Sequence, residues 1–182
     1  MNNRLEKISS YIVDGIGVAD IGTDHGFLPI ALCERGYSGN IIAADINSDP
    51  LNKAIRAAKQ AGFYDRISFL LCDGLEKCNN ALFDRVVIAG MGGDTIAGII
   101  ERAPNCFSDS FTFHLQPMSK AEILRGWLLN HGFGIINEDL VVDNDTIYQI
   151  ISAKFGVVSS YCDAELYIGK KELHSDKDLY EK

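Results

Sequence analysis

Val18-Ala-Asp-Ile-Gly-Thr-Asp-His-Gly-Phe-Leu-Pro29 is the stretch that decides the fold of this 182-residue chain. Apolar residues lead up to Asp20, Gly22 and Gly26 bracket a turn, and Leu28, Ile30 and Leu32 open the next element. The pattern reads as a short buried strand, a glycine-bearing turn and the start of a helix. Such a turn brings free backbone N–H groups to a helix N-terminus, where an anionic or polar ligand group can be held.

Before it, Leu5, Ile8 and Ile12 recur at helical spacing, predicting an amphipathic helix over residues 2–13 that Asp14-Gly15 breaks. After it, residues 27–34 read as a helix stopped by Gly36, with Pro29 tolerated in the first turn. Residues 40–45 form a second apolar strand ending in Asp45, and Asp49-Pro50 opens a helix with Leu51, Ala54, Ile55, Ala58 and Ala61 as its stripe. A third strand, residues 67–72, leads to Asp73-Gly74. A fourth, residues 85–89, leads to a Gly90-Met-Gly-Gly93 turn and a helix marked by Ile96, Ile99 and Ile100. A fifth, residues 111–115, runs into Gln116-Pro117, and Ser119 with Glu122 has the spacing of a capping box for the next helix. Residues 133–142 and 146–154 then read as a hairpin joined by Asp143-Asn-Asp145.

Strands alternating with helices demand a parallel sheet covered on both faces. The expected fold is therefore α/β and doubly wound: a mostly parallel seven-stranded sheet that closes on an antiparallel hairpin. Residues 1–158 are expected to form this domain, and the polar residues 161–182 a short helical or frayed tail.

Composition sets further bounds. No apolar run reaches bilayer-spanning length, and Met1-Asn-Asn-Arg-Leu-Glu-Lys7 has no apolar segment of the secretory kind, so a cytoplasmic location is expected. Five cysteines without a Cys-x-x-Cys pair argue against a disulfide framework and a zinc ribbon, and the four histidines show no ligand spacing, so no metal is expected. The formal net charge of −8 stands against a chain built to grip nucleic acid by its surface alone.

In an open parallel sheet, ligands bind outside the carboxyl ends of the strands. Four strand ends here carry acids and glycines: Asp20-Ile-Gly22-Thr-Asp24, Asp45, Asp73-Gly74 and Gly90-Met91-Gly92. Any one of them reads equally as a solvated turn or a helix cap, but four along one edge suggest a cradle. Gly22 lets the backbone approach a ligand closely. Asp45, 25 residues beyond Asp20, suits the vicinal hydroxyls of a ribose, and Asp73 suits an exocyclic adenine amine. The first turn lacks the middle glycine of a dinucleotide site and carries Asp24, which repels a diphosphate. Acids there suit a cationic ammonium, as in S-adenosylmethionine.

At this point the chain resembles a class I S-adenosylmethionine-dependent methyltransferase of Rossmann-like fold. It is similar in particular to the bacterial family that methylates N1 of adenine 22 in the D arm of tRNA. The resemblance is carried by residues 19–29, Ala89-Gly-Met-Gly-Gly93, Leu115-Gln-Pro117 with Arg125 and Trp127-Leu128, and Glu138-Asp-Leu-Val141 leading to Ile147-Tyr148. Thr23, Gly26, Phe27 and Met118 depart from its usual pattern.

The resemblance implies that Gly90, Met91 and Gly92 line the slot between methyl and base, and that His25 contacts the base or handles a proton. It implies that Gln116, Pro117 and Arg125 hold the substrate, and that Asp20, Gly22, Asp24, Asp45, Asp73, Gly74 and Gly90 hold the cofactor. Plainer roles stay open beside these: a helix-start residue for His25, a helix cap for Asp24, a strand end for Gln116 and Pro117, and a solvated helix face for Arg125. The family also appends a helical domain that helps hold tRNA, so residues 159–182 are expected to be the start of such a domain, shortened or missing here. A small-molecule or protein methyltransferase, or a cofactor-binding module without RNA activity, is the alternative.

Overall fold

β1 (Val18–Ile21) and β2 (Ile41–Asp45) are buried at every residue, as expected of short apolar runs covered on both faces. The computed structural model describes residues 3–174 of the chain. The remaining strands are β3 (Ile67–Leu71), β4 (Arg85–Gly92), β5 (Thr112–Ser119), β6 (Phe133–Asp143) and β7 (Thr146–Phe155). The helices are α1 (Asn3–Tyr11), α2 (Phe27–Glu34), α3 (Ser48–Gln60), α4 (Gly93–Glu101), α5 (Ala121–Asn130) and α6 (Asp163–Ile168). The strands form one sheet in the order β3-β2-β1-β4-β5-β7-β6.

Alternate residues along the central strands feed two cores. Ala19, Ile21, Val86 and Ile88 face Ile96 and Ile100 of α4 and Leu124 and Leu128 of α5. Val18, Ile41, Ala43 and Val87 face Ile8 of α1 and Ile12 just after it, Leu28 and Leu32 of α2 and Ala58 of α3. Burying an aliphatic side chain of this size contributes about 1.5–3 kcal/mol, so the sheet is held from both sides. β1 pairs in parallel with both β2 and β4. The strand order thus reverses between β1 and β4, and a crevice opens there at the carboxyl ends.

Two local expectations are corrected. β4 does not end at residue 89 in a free glycine turn. It runs on to Gly92, irregular at Met91, and pairs Met91 with Pro117 and Gly92 with Ser119. Gly90, at φ 80°, takes the left-handed step that a bulged strand needs. β5 likewise runs on to Ser119, so Ser119 is a strand residue rather than a helix cap, and α5 starts from Lys120 at φ 58° without a side-chain cap.

The hairpin is as expected, with Asn144 and Asp145 at φ 48° and 60°, the signature of a two-residue type I′ turn. β7 pairs antiparallel with β5, and β6 pairs antiparallel with β7 and forms the edge. The tail is helical in part, with α6 followed by a 3-10 turn at Lys171–Leu173, and its residues 175–182 lie outside the described residues. It returns to the sheet. The Tyr161 hydroxyl and the Lys170 backbone N–H both donate to Glu138 Oε2, at 2.9 and 2.7 Å.

Candidate functional site

The turn after β1 is built by backbone hydrogen bonds that cross to β2. The N–H groups of Gly22 and Thr23 both donate to the Ala44 carbonyl, at 2.8 and 3.0 Å, and Gly26 N–H closes the turn on Thr23 O at 2.9 Å. Gly22, Asp24 and Gly26 all take positive φ, at 75°, 47° and 70°. Two glycines adopt it freely, while Asp24 is a non-glycine residue held in a sparsely populated region, of the kind that clusters at ligand sites. A Cβ on Gly22 would lie 2.1 Å from the terminal methyl of Met91, so the glycine is also what lets β1 and the end of β4 approach.

Asp45 ties the next strand end to this turn. Its Oδ1 accepts from Asn47 N–H at 2.8 Å and its Oδ2 from Asp24 N–H at 3.4 Å. Each carboxylate oxygen has a second lone pair, so both can still accept from a ligand. After β3, Asp73 Oδ1 accepts from Arg102 Nη2 at 2.9 Å, and Gly74, at φ 55°, packs on Ile99. The Asp20 carboxyl is buried, and that burial pushes its pKa up to about 6; the Thr23 side chain works against the rise and the charge of Asp45 adds to it. A buried carboxylate with the charge of a second one beside it is a receiver for a positively charged ligand group.

These strand ends share one cavity of about 720 Å³, within the range of roughly 300–1,000 Å³ of small-molecule sites. Asp20, Gly22, Asp24, Asp45, Asp73, Gly74, Gly90 and Met91 all line it. Exposed Ile46, with Phe27 and Ile99, adds apolar wall beside the acids. A Cβ on Gly90 would meet nothing within 4 Å, so the space beside it is open cavity.

Other expected site residues lie elsewhere. His25 sits outside the lining, half-exposed, stacked on Phe27 at 5.3 Å between ring centroids and 3.7 Å from the Asp24 carboxylate. Gly92 is the residue before α4 and does not line the cavity. Gln116 is fully buried behind the wall: its Oε1 accepts from Gly90 N–H at 3.2 Å, and its Nε2 donates to Pro117 O at 2.8 Å. It orients the Gly90 peptide from behind. Pro117 lines a second, smaller cavity of about 280 Å³, shared with Tyr148 and Tyr167, which meets the first at Met118.

Arg125 is a correction. Expected to hold substrate, it is fully buried: Nε donates to Glu138 Oε1 at 2.6 Å, Nη2 to Gln149 Oε1 at 2.6 Å and Nη1 to the Leu166 carbonyl at 2.8 Å. With its donors turned inward, it joins α5, the hairpin and the tail and presents no charge to a ligand.

The residue that sequence reading missed is Arg4. It lines the main cavity from α1, and its Nη1 donates to Gln116 Oε1 at 2.8 Å. In the sequence it is one polar residue beside the apolar stripe of a helix, and nothing local says which strand end that flank will meet. Ile46 did leave a signal, as an apolar residue directly after a strand-end acid, where a turn ordinarily places a polar one. Among the described residues, no cluster of side chains has the makeup of a metal site, and no helix is long and apolar enough to cross a membrane.

A family model described as a methyltransferase domain matches residues 1–151. The tRNA (adenine(22)-N(1))-methyltransferase of Bacillus subtilis is 31% identical over 156 residues, covering 86% of this chain and 66% of that protein. A putative tRNA (m1A22) methyltransferase of Streptococcus pneumoniae, solved in complex with S-adenosyl-L-methionine, superposes with a TM-score of 0.84 at 30% identity, covering 91% of this chain and 78% of that one. The M. capricolum enzyme TrmK, solved with S-adenosyl-homocysteine, gives a TM-score of 0.84 at 28% identity, covering 99% of this chain and 80% of that one. The chain spans 60–70% of the length of the curated relatives it matches.

Proposed function

The chain belongs to the methyltransferase domain family, and from that premise we propose that it transfers a methyl group from S-adenosylmethionine to N1 of an adenine in the D arm of tRNA. The observation that carries this reading is the convergence of Asp20, Asp45, Asp73 and the glycines 22, 74 and 90 on one cavity. The cavity fits the donor. Asp45 keeps lone pairs for two ribose hydroxyls, and Asp73 Oδ2 is left for an adenine amine while Oδ1 holds Arg102. Asp20 and Asp24 suit the ammonium, and Ile46 and Ile99 suit the face of the adenine ring.

Bound there, the donor supplies an electrophilic methyl to a ring nitrogen that already carries a lone pair. No protein base is needed for the attack, which accords with a cavity lined by acids and glycines and with His25 outside it. The work left to this chain is alignment. Gly90 keeps the slot open, its peptide fixed by Gln116, and offers only backbone groups to the edge of an incoming base. The target base has to leave its stack to enter, at a cost of a few kcal/mol. A cytoplasmic location is in keeping with a reaction on tRNA, and methyl transfer to a ring nitrogen requires no metal.

The test is reaction of the chain with unmodified tRNA and labelled donor, followed by mass spectrometry of the nucleosides. The expected result is N1-methyladenosine at one site of the D arm. In parallel, Asp45→Ala is expected to weaken S-adenosylhomocysteine roughly 10–100-fold in calorimetry, the worth of hydrogen bonds to a charged acceptor. Equal affinity of both proteins defeats the cofactor assignment. The second reading, a methyl acceptor other than RNA, rests on the net charge of −8. Donor binding with no label on any tRNA would favour it.

A further inference from the structure

Arg4 reaches the main cavity from the β5 side of the sheet, across β1 and β4 from the strand ends that carry Asp45 and Asp73. The neighbouring cations are each engaged by a carboxylate: Arg102 by Asp73 at 2.9 Å, Lys120 by Asp94 at 2.5 Å and Arg125 by Glu138 at 2.6 Å. Arg4 has no carboxylate partner among the described residues. Among the described residues its guanidinium is held by neutral groups alone. Nη1 donates to Gln116 Oε1 at 2.8 Å and lies 3.1 Å from Met118 Sδ, and the guanidinium carbon sits over the Tyr148 ring, 4.8 Å from its centroid. Its Nε is buried without a hydrogen-bond partner among the described residues.

Neutral acceptors and an aromatic face fix a guanidinium in place without cancelling its charge. The same Gln116 oxygen also accepts from Gly90 N–H, so this charge is tied to the peptide that walls the methyl-transfer slot. A fixed, uncompensated arginine in a chain of net charge −8, at the junction of two cavities, is placed to receive an anionic oxygen.

We propose that Arg4 is an anion-binding residue of the methyl-transfer site, taking a charged oxygen of a ligand lodged against Gly90. This rests on the methyltransferase reading above. Two oxygens of that reaction share the chemistry: the α-carboxylate of the donor, and an RNA phosphate beside the target adenine. Both accept the paired N–H groups of a guanidinium, and lysine reproduces the charge but not the fork.

The experiment compares wild type with Arg4→Met, Arg4→Gln and Arg4→Lys. Affinity is measured by calorimetry for S-adenosylhomocysteine and for 5′-methylthioadenosine, which has no amino-acid end. KM for unmodified tRNA is measured across a salt series. A loss of about tenfold or more for S-adenosylhomocysteine, with methylthioadenosine unchanged and Arg4→Lys intermediate, assigns Arg4 to the donor carboxylate. Unchanged affinity for both nucleosides, with KM for tRNA raised about tenfold and the salt exponent shifted by about one, assigns it to a phosphate.

Arg4→Gln keeps an amide donor for Gln116. Equal losses in the Met and Gln variants at unchanged melting temperature therefore report the charge and not the packing. Variants that match wild type in both arms overturn the proposal. A wild-type chain that binds S-adenosylhomocysteine but methylates no tRNA defeats the RNA reading alone, and the nucleoside arm then decides for Arg4. A wild-type chain that binds neither defeats both.

Discussion

Asp20 carries two opposite pH dependences. Its carboxyl has a pKa of about 6 in the fold against 3.8 for the free group, because burial disfavours the charge. The folded protein therefore holds a proton that the unfolded chain has lost. Stability from this group is complete below the unfolded value and is lost as pH rises through about 6. A displacement of that size is worth about 3 kcal/mol. A cationic ligand group prefers the ionised carboxylate, so affinity runs the other way and falls as pH drops below about 6. Asp20→Asn separates the two effects. It is expected to melt above wild type at pH values beyond 6, by thermal denaturation without ligand, and to remove the low-pH loss of S-adenosylhomocysteine affinity seen in calorimetry. A variant that melts lower and keeps the pH dependence would show that Asp20 is ionised and structurally paired. The sequence placed this acid at a strand end beside glycines, which is local information. The raised pKa comes from burial between β2 and β4 and from Asp45 at the next strand end, and no window of sequence contains that.

The elements that close the fold do so through a buried ion pair. Arg125 on α5 and Glu138 on β6 are almost completely buried and meet at 2.6 Å, and Glu138 also receives Tyr161 and Lys170 from the tail. Removing one partner of such a pair leaves a buried charge unmatched and costs about 3–5 kcal/mol, whereas replacing both by apolar groups is nearly neutral. Arg125→Met is therefore expected to lower the urea midpoint sharply, and Arg125→Met with Glu138→Leu to recover much of it. Neither is expected to alter S-adenosylhomocysteine affinity while the protein is folded. Loss of tRNA turnover with an unchanged midpoint would restore the substrate role that the resemblance implied for Arg125. The resemblance implied that role and a solvated helix face was the plainer alternative, but Arg125 is fully buried, because its partners Glu138, Gln149 and Leu166 come from the hairpin and the tail, far along the chain. The strand and helix alternation, the covering of both faces of the central sheet and the Asn144-Asp145 turn were legible because periodicity and turn chemistry are local. The extension of β4 through Gly92 was not, since two glycines around a methionine signal a turn unless a partner strand such as β5 is there to pair them.

Over the whole molecule, the sheet order gathers acids on the rim where the donor cavity opens, and the surface as a whole is acidic. A protein that grips nucleic acid by many phosphates loses affinity steeply and linearly in log salt. A chain of net charge −8 meets the opposite long-range term. At about 0.01 M salt the screening length is near 30 Å and the whole protein repels RNA, while at about 0.15 M it shrinks to near 8 Å and only local contacts are felt. Local contacts at the cavity mouth then compete with a repulsion that salt removes first. Turnover of tRNA, as kcat/KM at fixed saturating donor, is expected to stay level or rise between those two salt concentrations before falling beyond them. Donor affinity, set inside the cavity, is expected to change little over the same range. A steep monotonic fall from the lowest salt would mean that a basic surface outweighs the net charge. In that case the contacts responsible would have to lie beyond the residues that line these two cavities.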